Sequence, residues 1–303
     1  MKTFDTLIQM MAAFPDEQSA IDHFTQIRWK HGAFCPYCGS VRVYHFSNNR
    51  THKCGDCRQR FSIKVGSIFE DSKIELRVWF MAIWLITSHK KGIASTQLAK
   101  DLGVTQKTAW FMTQRLRYAI RTKSFNAPLD GDVEADEMFV GGKEKNKHAA
   151  KRTGGKQGGS GKIAVLGILQ RDGELRTTVT PNLKAATVQE AINGNVRAGS
   201  TIMTDTALSF ERLGSIYQHH RVNHSAGEYV RAGVFHTNGI ESVWSLFKRQ
   251  IIGTHHVLSP KHFRRYLGEM TWRFNNRHMG EGIRVNALLA LAEGRLTYKE
   301  LTA

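Results

Sequence analysis

The chain has 303 residues, 41% of them hydrophobic and including six Trp and sixteen Phe, enough apolar mass for several cores and too much for a disordered chain. Forty-three Lys and Arg against twenty-six Asp and Glu give a formal charge of +17, which favours a polyanionic partner, nucleic acid ahead of an anionic membrane surface. The longest strongly apolar run, Val78 to Ile86, is far too short to span a bilayer, and Asp5 interrupts any signal-like core in Met1 to Phe14, so a soluble intracellular protein is expected.

Residues 1–30 mix Phe, Ile and Met with acids at helical spacing, and Pro15-Asp16-Glu17 reads as a helix start ahead of Ile21, Phe24 and Ile27. All four cysteines fall within residues 31–65, as Cys35-Pro-Tyr-Cys38, fifteen intervening residues, and Cys54-Gly-Asp-Cys57. Two tight turns that each present two thiolates make a closed tetrahedral site for a structural Zn²⁺, and a reducing compartment argues against disulfides. Backbone N–H groups of these turns would point at the sulfurs, and Val41 to Phe46 with His52-Lys53 read as strands of a zinc ribbon. Arg42, Arg50, Lys53, Arg58 and Arg60 would make its surface basic.

Residues 66–125 read as a helical unit in which Leu76 to Ile86 is apolar nearly all round, as for a buried helix. Ile93 to Gly103 and Val104 to Arg117 read as helix, turn, helix, with Gly103 at the turn and Thr105 capping the second helix. That helix would read DNA through Gln106, Lys107 and Thr108, with Arg115 and Arg117 available for phosphates; a plain helical hairpin is the alternative.

After a linker at Asn126 to Asp130 the apolar period changes from helix to strand, opening a domain over residues 126–280. Val133 to Val140 is a strand with three acids, Glu134 and Asp136 on one face and Glu137 on the other. Gly141 to Lys162 is Gly- and Lys-rich and reads as a mobile basic loop, either a hairpin tip that touches DNA or a merely solvated one. Its Gly-Gly-Ser-Gly-Lys162 ending is no phosphate loop, because Lys156 and Ile163 stand where Gly and Ser or Thr are needed. Ile163 to Leu169 and Glu174 to Thr180 are strands joined by Arg171-Asp172-Gly173, a hairpin signal. Thr187 to Val196 reads as a helix, Thr201 to Thr204 as a strand ending in Asp205, Leu208 to Leu213 as a helix, and residues 215–235 as a less regular connection. The helix that follows carries Glu241 and Lys248 two turns apart on one face, with Val243, Trp244, Leu246 and Phe247 as its apolar stripe. Ser259 to Phe274 is a second amphipathic helix, with Phe263, Tyr266, Leu267, Met270 and Phe274 inward and Lys261, Arg264 and Arg265 outward. Residues 281–303 read as a small helical tail of no evident chemistry.

Asp136, Asp205 and Glu241 come from three elements that a mixed sheet with a helix across it can bring together. Like charges at close range raise one another's pKa, so such a cluster calls for a cation. Mg²⁺ or Mn²⁺ suits these hard oxygen ligands and leaves positions open for water and phosphate, as in two-metal phosphodiester chemistry. Lys248 would hold a DNA phosphate near the metals, and Arg249 beside it is a further DNA contact. His219, His220, His224, His255 and His256 match no zinc spacing and read as loop or DNA-backbone contacts, whereas His236 reads as the rim of the site.

Together, Cys35-Pro-Tyr-Cys38, Ala135-Asp-Glu-Met-Phe-Val-Gly-Gly142, Met203-Thr-Asp205, the stretch His236 to Arg249 and Gly253-Thr-His-His256 resemble the bacterial insertion-sequence transposases of the "fifteen ninety-five" family, over about residues 20–278. The resemblance implies a multi-domain α+β and α/β chain with an N-terminal zinc ribbon, a helix-turn-helix unit and an RNase H-like catalytic domain whose mixed sheet is flanked by helices. It implies a DDE-type enzyme that binds the ends of its element and cuts and joins strands. Asp136, Asp205 and Glu241 would be its Mg²⁺ or Mn²⁺ ligands, and Lys248 the lysine seven residues after the third acid. Glu134 and Glu137 are rivals for the first acid. Asn238 rivals Glu241 for the third, because some members use Asn there. The expected partners are double-stranded DNA, as element end and as target, and further copies of the chain on that DNA. The expected setting is the bacterial cytoplasm, on the nucleoid, with no membrane. A DNA-binding regulator with a decayed catalytic domain and a nuclease that does not join are the alternatives.

Overall fold

Capping chemistry sets the first two helices of the computed structural model, which describes residues 2–120, 127–142, 146, 148, 150, 159 and 161–302. α1 (Leu7–Ala13) starts at Thr6 and α2 (Glu17–Arg28) at Asp16, each through a reciprocal capping box, with Gln9 and Ser19 respectively. Next come β1 (Val43–His45), β2 (Thr51–Cys54) and β3 (Arg60–Ser62), an antiparallel ribbon in the order β1-β2-β3. β3 has no signal in the sequence, its three residues being too few to show alternation; Phe61 anchors it by packing with Cys35 and Cys54.

α3 (Leu76–Ser88) is buried nearly all round, through Leu76, Trp79, Phe80, Ile83 and Ile86 among others. No side chain at its own N-cap bonds its first turn. Glu17 does so from α2, accepting the N–H groups of Leu76 and Arg77 at 2.9 and 3.0 Å. α4 (Ser95–Leu102) stops at Gly103, held at φ 65°, and α5 (Gln106–Ala119) begins at Thr105, whose hydroxyl accepts the Thr108 N–H. The turn and cap read from the sequence are both present.

Contacts divide the chain into two units, Met1–Arg121 with Asn276–Ala303, and Thr122–Asn275. The second contains β4 (Asp132–Val140), β5 (Ile163–Gln170), β6 (Leu175–Thr180), α6 (Ala185–Asn193), β7 (Thr201–Thr204), β8 (Gln218–Arg221), α7 (Asn238–Gln250) and α8 (Pro260–Asn275). Its sheet order is β6-β5-β4-β7-β8, with β4, β5 and β6 antiparallel and β7 and β8 running parallel to β4, the RNase H-like arrangement. On one face Val133, Ala135, Leu166 and Ile168 pack against Val188 and Ile192 of α6. On the other, Met138, Val165 and Leu169 pack against Val243, Trp244 and Phe247 of α7 and Phe263 and Met270 of α8.

Two expectations change. The stretch read as a helix over 208–213 is a pair of short 3-10 turns, Leu208–Phe210 and Leu213–Ser215, and β8 lies in what reads as an irregular connection. Gln-His-His-Arg has no apolar alternation; it becomes a strand through backbone pairing with β7. Asn126 and most of Gly141 to Lys162, including the reading of that stretch as a mobile basic loop, lie outside the described residues. The tail forms α9 (Glu281–Ala290) and α10 (Tyr298–Thr302), and α9 packs against α2 and α3 in the first unit. No helix among the described residues is long and apolar enough to cross a membrane.

Gly167 of β5, paired with Asp136 of β4, governs how closely α7 meets the sheet. A Cβ there would lie 2.4 Å from the Trp244 ring, so Gly167→Ala must push the indole and its helix outward. The expected cost is about 1–3 kcal/mol, read as a lower urea midpoint at unchanged m.

Candidate active site

Asp136 and Glu137 sit in the middle of β4 and point to opposite faces of the sheet, as alternation requires. β7 pairs with β4 only from Asp132 to Glu134, so beyond that point the β7 side of β4 is an open edge among the described residues. Continuing the register, in which Glu134 faces Met203, sets Asp205 beside Asp136, one residue past the end of β7. Asp205 turns the chain there, with Oδ1 accepting the Ala207 N–H at 2.9 Å. Carboxylate oxygens of Asp136, Glu137 and Asp205 consequently lie within 4.8 Å of one another. In the sequence Glu137 is a rival for the first acid beside Asp136, which matches the family motif, and alternation sets the two on opposite faces. The open strand edge, which the face rule does not register, lets both reach Asp205.

Burial, and then the charges of Asp205 and Glu241, push the Asp136 carboxyl up to about 7. Burial, and then the charges of Asp205 and Asp136, raise Glu137 to about 7 as well, opposed by a hydrogen bond from Ser209. A carboxyl with a raised pKa binds more protons in the folded chain than in the unfolded one. Without divalent metal, stability should therefore fall as pH rises from the ordinary values of 3.8 and 4.5 toward about 7. Thermal melts of the zinc-loaded protein across that range are expected to show this fall and its disappearance in excess Mg²⁺.

Glu241 stands in the first turn of α7, near enough for its charge to raise Asp136, and its carboxylate is turned to one side. Oε1 accepts from the Thr237 hydroxyl at 2.8 Å and lies 2.9 Å from His224 Nε2, which is itself 2.9 Å from the same hydroxyl. The sequence offers nothing to single out His224 from four neighbouring histidines. Of those, His219 bonds Thr204, His220 stacks on Phe235 and His255 meets Gln250. Asn238 is exposed at the start of α7, and Lys248 and Arg249 are exposed in its last turn. Glu134, the other rival for the first acid, is outside the cluster, with Oε2 accepting the Ile240 N–H at 2.9 Å.

The carboxylates suit a hard divalent cation, since oxygens of three half-buried acids converge within 4.8 Å of one another. The ribbon suits zinc. All four sulfurs lie within 4.8 Å of one another, with Cys35 to Cys57 and Cys38 to Cys54 both 3.6 Å apart. Tetrahedral Zn–S bonds of about 2.3 Å require sulfurs ~3.8 Å apart. Burial opposes the Cys54 thiolate, yet the N–H groups of Cys57 and Asp56, at 3.4 and 3.3 Å, help bring its pKa down to about 6.

On α5, Gln106 and Lys107 are exposed; Gln106 bonds Ser95 at 3.0 Å and the Lys107 ammonium lies 5.6 Å over the Tyr298 ring. Thr108 is half-buried. Arg115 and Arg117 depart from expectation, being 5% and 2% exposed. Arg115 donates to the carbonyls of Ile68 and Glu70 at 2.7 and 2.8 Å and stacks over Phe111, and Arg117 bonds Thr113. Both face the core, so the phosphate role read for them is corrected to a structural one. α5 has polar residues on both faces, which hides the inward one.

A sheet of this order, with carboxylates gathered at its edge, defines an RNase H-like domain in a chain that also carries a four-cysteine zinc ribbon. The chain belongs to the IS1595 transposase family. Residues 128–275 match the ISXO2-like transposase domain and residues 15–60 the transposase zinc-ribbon domain. An uncharacterized protein in transposable element ISH50 of Halobacterium salinarum is 29% identical over 255 residues, 78% of this chain and 83% of that one. An uncharacterized transposase-like protein of Haemophilus influenzae is 34% identical over 121 residues, 40% of this chain and 94% of that one. Among solved structures, a Mos1 transposase paired-end complex with left transposon end matches at a TM-score of 0.26 and 12% identity, over 72% of this chain and 80% of that one, too remote to bear on the site.

Proposed function

We propose that this transposase binds the ends of its own element and cuts and joins DNA strands there in a reaction that depends on Mg²⁺ or Mn²⁺. The observation that supports this most is the meeting of Asp136, Glu137 and Asp205 at an open strand edge, with the charge of Glu241 in reach, in a chain of a transposase family. A stable protein has little reason to hold like charges so close unless a cation joins them. Bound there, the divalent ions would activate a water or a 3′-hydroxyl and stabilise the oxygen that leaves.

Asp136, Asp205 and Glu241 are the residues proposed to hold those ions, Glu241 after turning from Thr237 and His224. Lys248 and Arg249 would take DNA phosphates, and Gln106, Lys107 and Thr108 would read the element end. Cys35, Cys38, Cys54 and Cys57 would hold Zn²⁺. Joining two ends requires more than one site, so copies of the chain would assemble on the DNA in the bacterial cytoplasm.

The test is a duplex that carries the terminal repeat and flanking DNA, incubated with the protein in Mg²⁺. The proposal expects cleavage at the element boundary. Uniform degradation of any duplex would indicate a simple nuclease, and binding without cleavage a regulator.

A further inference from the structure

Glu134 lies outside the carboxylate cluster, and its surroundings give it another task. Its side chain is 1% exposed, two residues before Asp136 and on the same face of β4. Oε2 accepts the N–H of Ile240, the third residue of α7, at 2.9 Å. α7 has no side-chain cap of its own; the Thr237 hydroxyl donates to Glu241 and accepts no N–H of the first turn. The free N–H groups and positive dipole end of α7 are thus met by a carboxylate from the strand that bears Asp136. Gly239 permits the approach, since a Cβ there would lie 2.8 Å from that same oxygen.

The second carboxylate oxygen ties in the chain that leads to α7. Oε1 accepts from Arg171 Nε at 3.0 Å, and the Arg171 guanidinium also donates to the carbonyls of Val234 and His236 at 3.0 and 3.1 Å. Arg171 belongs to the β5–β6 turn and its backbone N–H donates to the Asp132 carbonyl, so the clamp is built on the sheet at both ends. One ion pair, buried at Glu134 and half-buried at Arg171, therefore holds the entry to α7 and its first turn against β4 and β5. Glu241 is the next residue after Ile240.

We propose that Glu134 and Arg171 are a positioning pair that fixes the third acid relative to the first, setting where Glu241 stands with respect to Asp136. The proposal rests on the reading of Glu241 as a metal-holding acid. Glu134 touches no reacting group; it acts through α7.

Mn²⁺ affinity of the full, zinc-loaded chain, measured by calorimetry, tests this in a double-mutant cycle of Glu134→Ala and Glu241→Ala. Glu134→Ala is expected to weaken Mn²⁺ binding by about 10–100-fold, the range for residues that orient metal ligands. In the Glu241→Ala background it should weaken binding no further, because its effect passes through Glu241. Glu134→Gln keeps an oxygen for the Ile240 N–H but turns its amide NH2 on the Arg171 Nε–H, so it should recover only part of the affinity. Equal weakening in both backgrounds, or none in the Glu134→Ala single variant while Glu241→Ala weakens binding, would overturn the pair alone. Unchanged affinity in Glu241→Ala would overturn the metal-holding reading and the pair with it. If Glu134→Ala does not fold, Arg171→Met, at a turn where the side chain is 24% exposed, completes the same cycle with the same two outcomes.

Discussion

Asp205→Asn is expected to lower end cleavage and joining at least about a thousandfold, ~4 kcal/mol of transition-state stabilisation, while the protein folds as well as before or better. The amide keeps an oxygen for the Ala207 N–H, so the turn after β7 has what it needs. What disappears is a negative charge that raises the carboxyls of both Asp136 and Glu137. Relieving that repulsion should lift the metal-free melting temperature, the pattern of a residue kept for activity at the expense of stability. A variant that lost activity and also melted early would make Asp205 a structural residue.

Cys54→Ser is expected to release the zinc and unfold the ribbon. Cys54 is fully buried, and the ribbon core consists of little more than Cys35, Cys54 and Phe61 with Trp29, Val43 and Val65 against them. Strands of three and four residues over so small a core cannot stand alone. Structural zinc contributes about 10–16 kcal/mol in small metal-bound domains, so its loss should be decisive there. Metal analysis should find one zinc per wild-type chain and none in the variant, with the Trp29 signal altered and element-end binding reduced. Wild-type protein without zinc, or a variant that retained it, would remove the ribbon assignment.

Local chemistry made much of this legible in the sequence. Cysteine spacing marks the ribbon, Gly103 and Thr105 mark the turn of the helical pair, and alternation sorts Glu134 and Asp136 from Glu137. The short apolar strand before Asp205 places that acid at the mouth of the sheet. What stayed hidden depends on contacts between distant segments. Glu17 caps a helix through Leu76, 59 residues on, and Glu134 caps another through Ile240, 106 residues on. Glu137 joins the cluster because β7 ends short of it, and β8 is a strand because β7 offers its edge. Arg115 is buried because Ile68 and Glu70 turn their carbonyls toward α5. Periodicity along one segment carries no information about the partner that satisfies it.

The choice between Glu241 and Asn238 follows the same division. Both lie in the first turn of α7, Glu241 bonded to Thr237 beside His224 and Asn238 exposed, and of the two only Glu241 carries a charge to offer a cation. The most direct measurement is the joining of a pre-cut element end to a target duplex in Mg²⁺, with wild type, Asn238→Ala and Glu241→Gln side by side. Wild type and Asn238→Ala are predicted to join at similar rates, and Glu241→Gln to fall at least about a thousandfold. Joining by Glu241→Gln at the wild-type rate would contradict the assignment of Asp136, Asp205 and Glu241 as the metal-holding set.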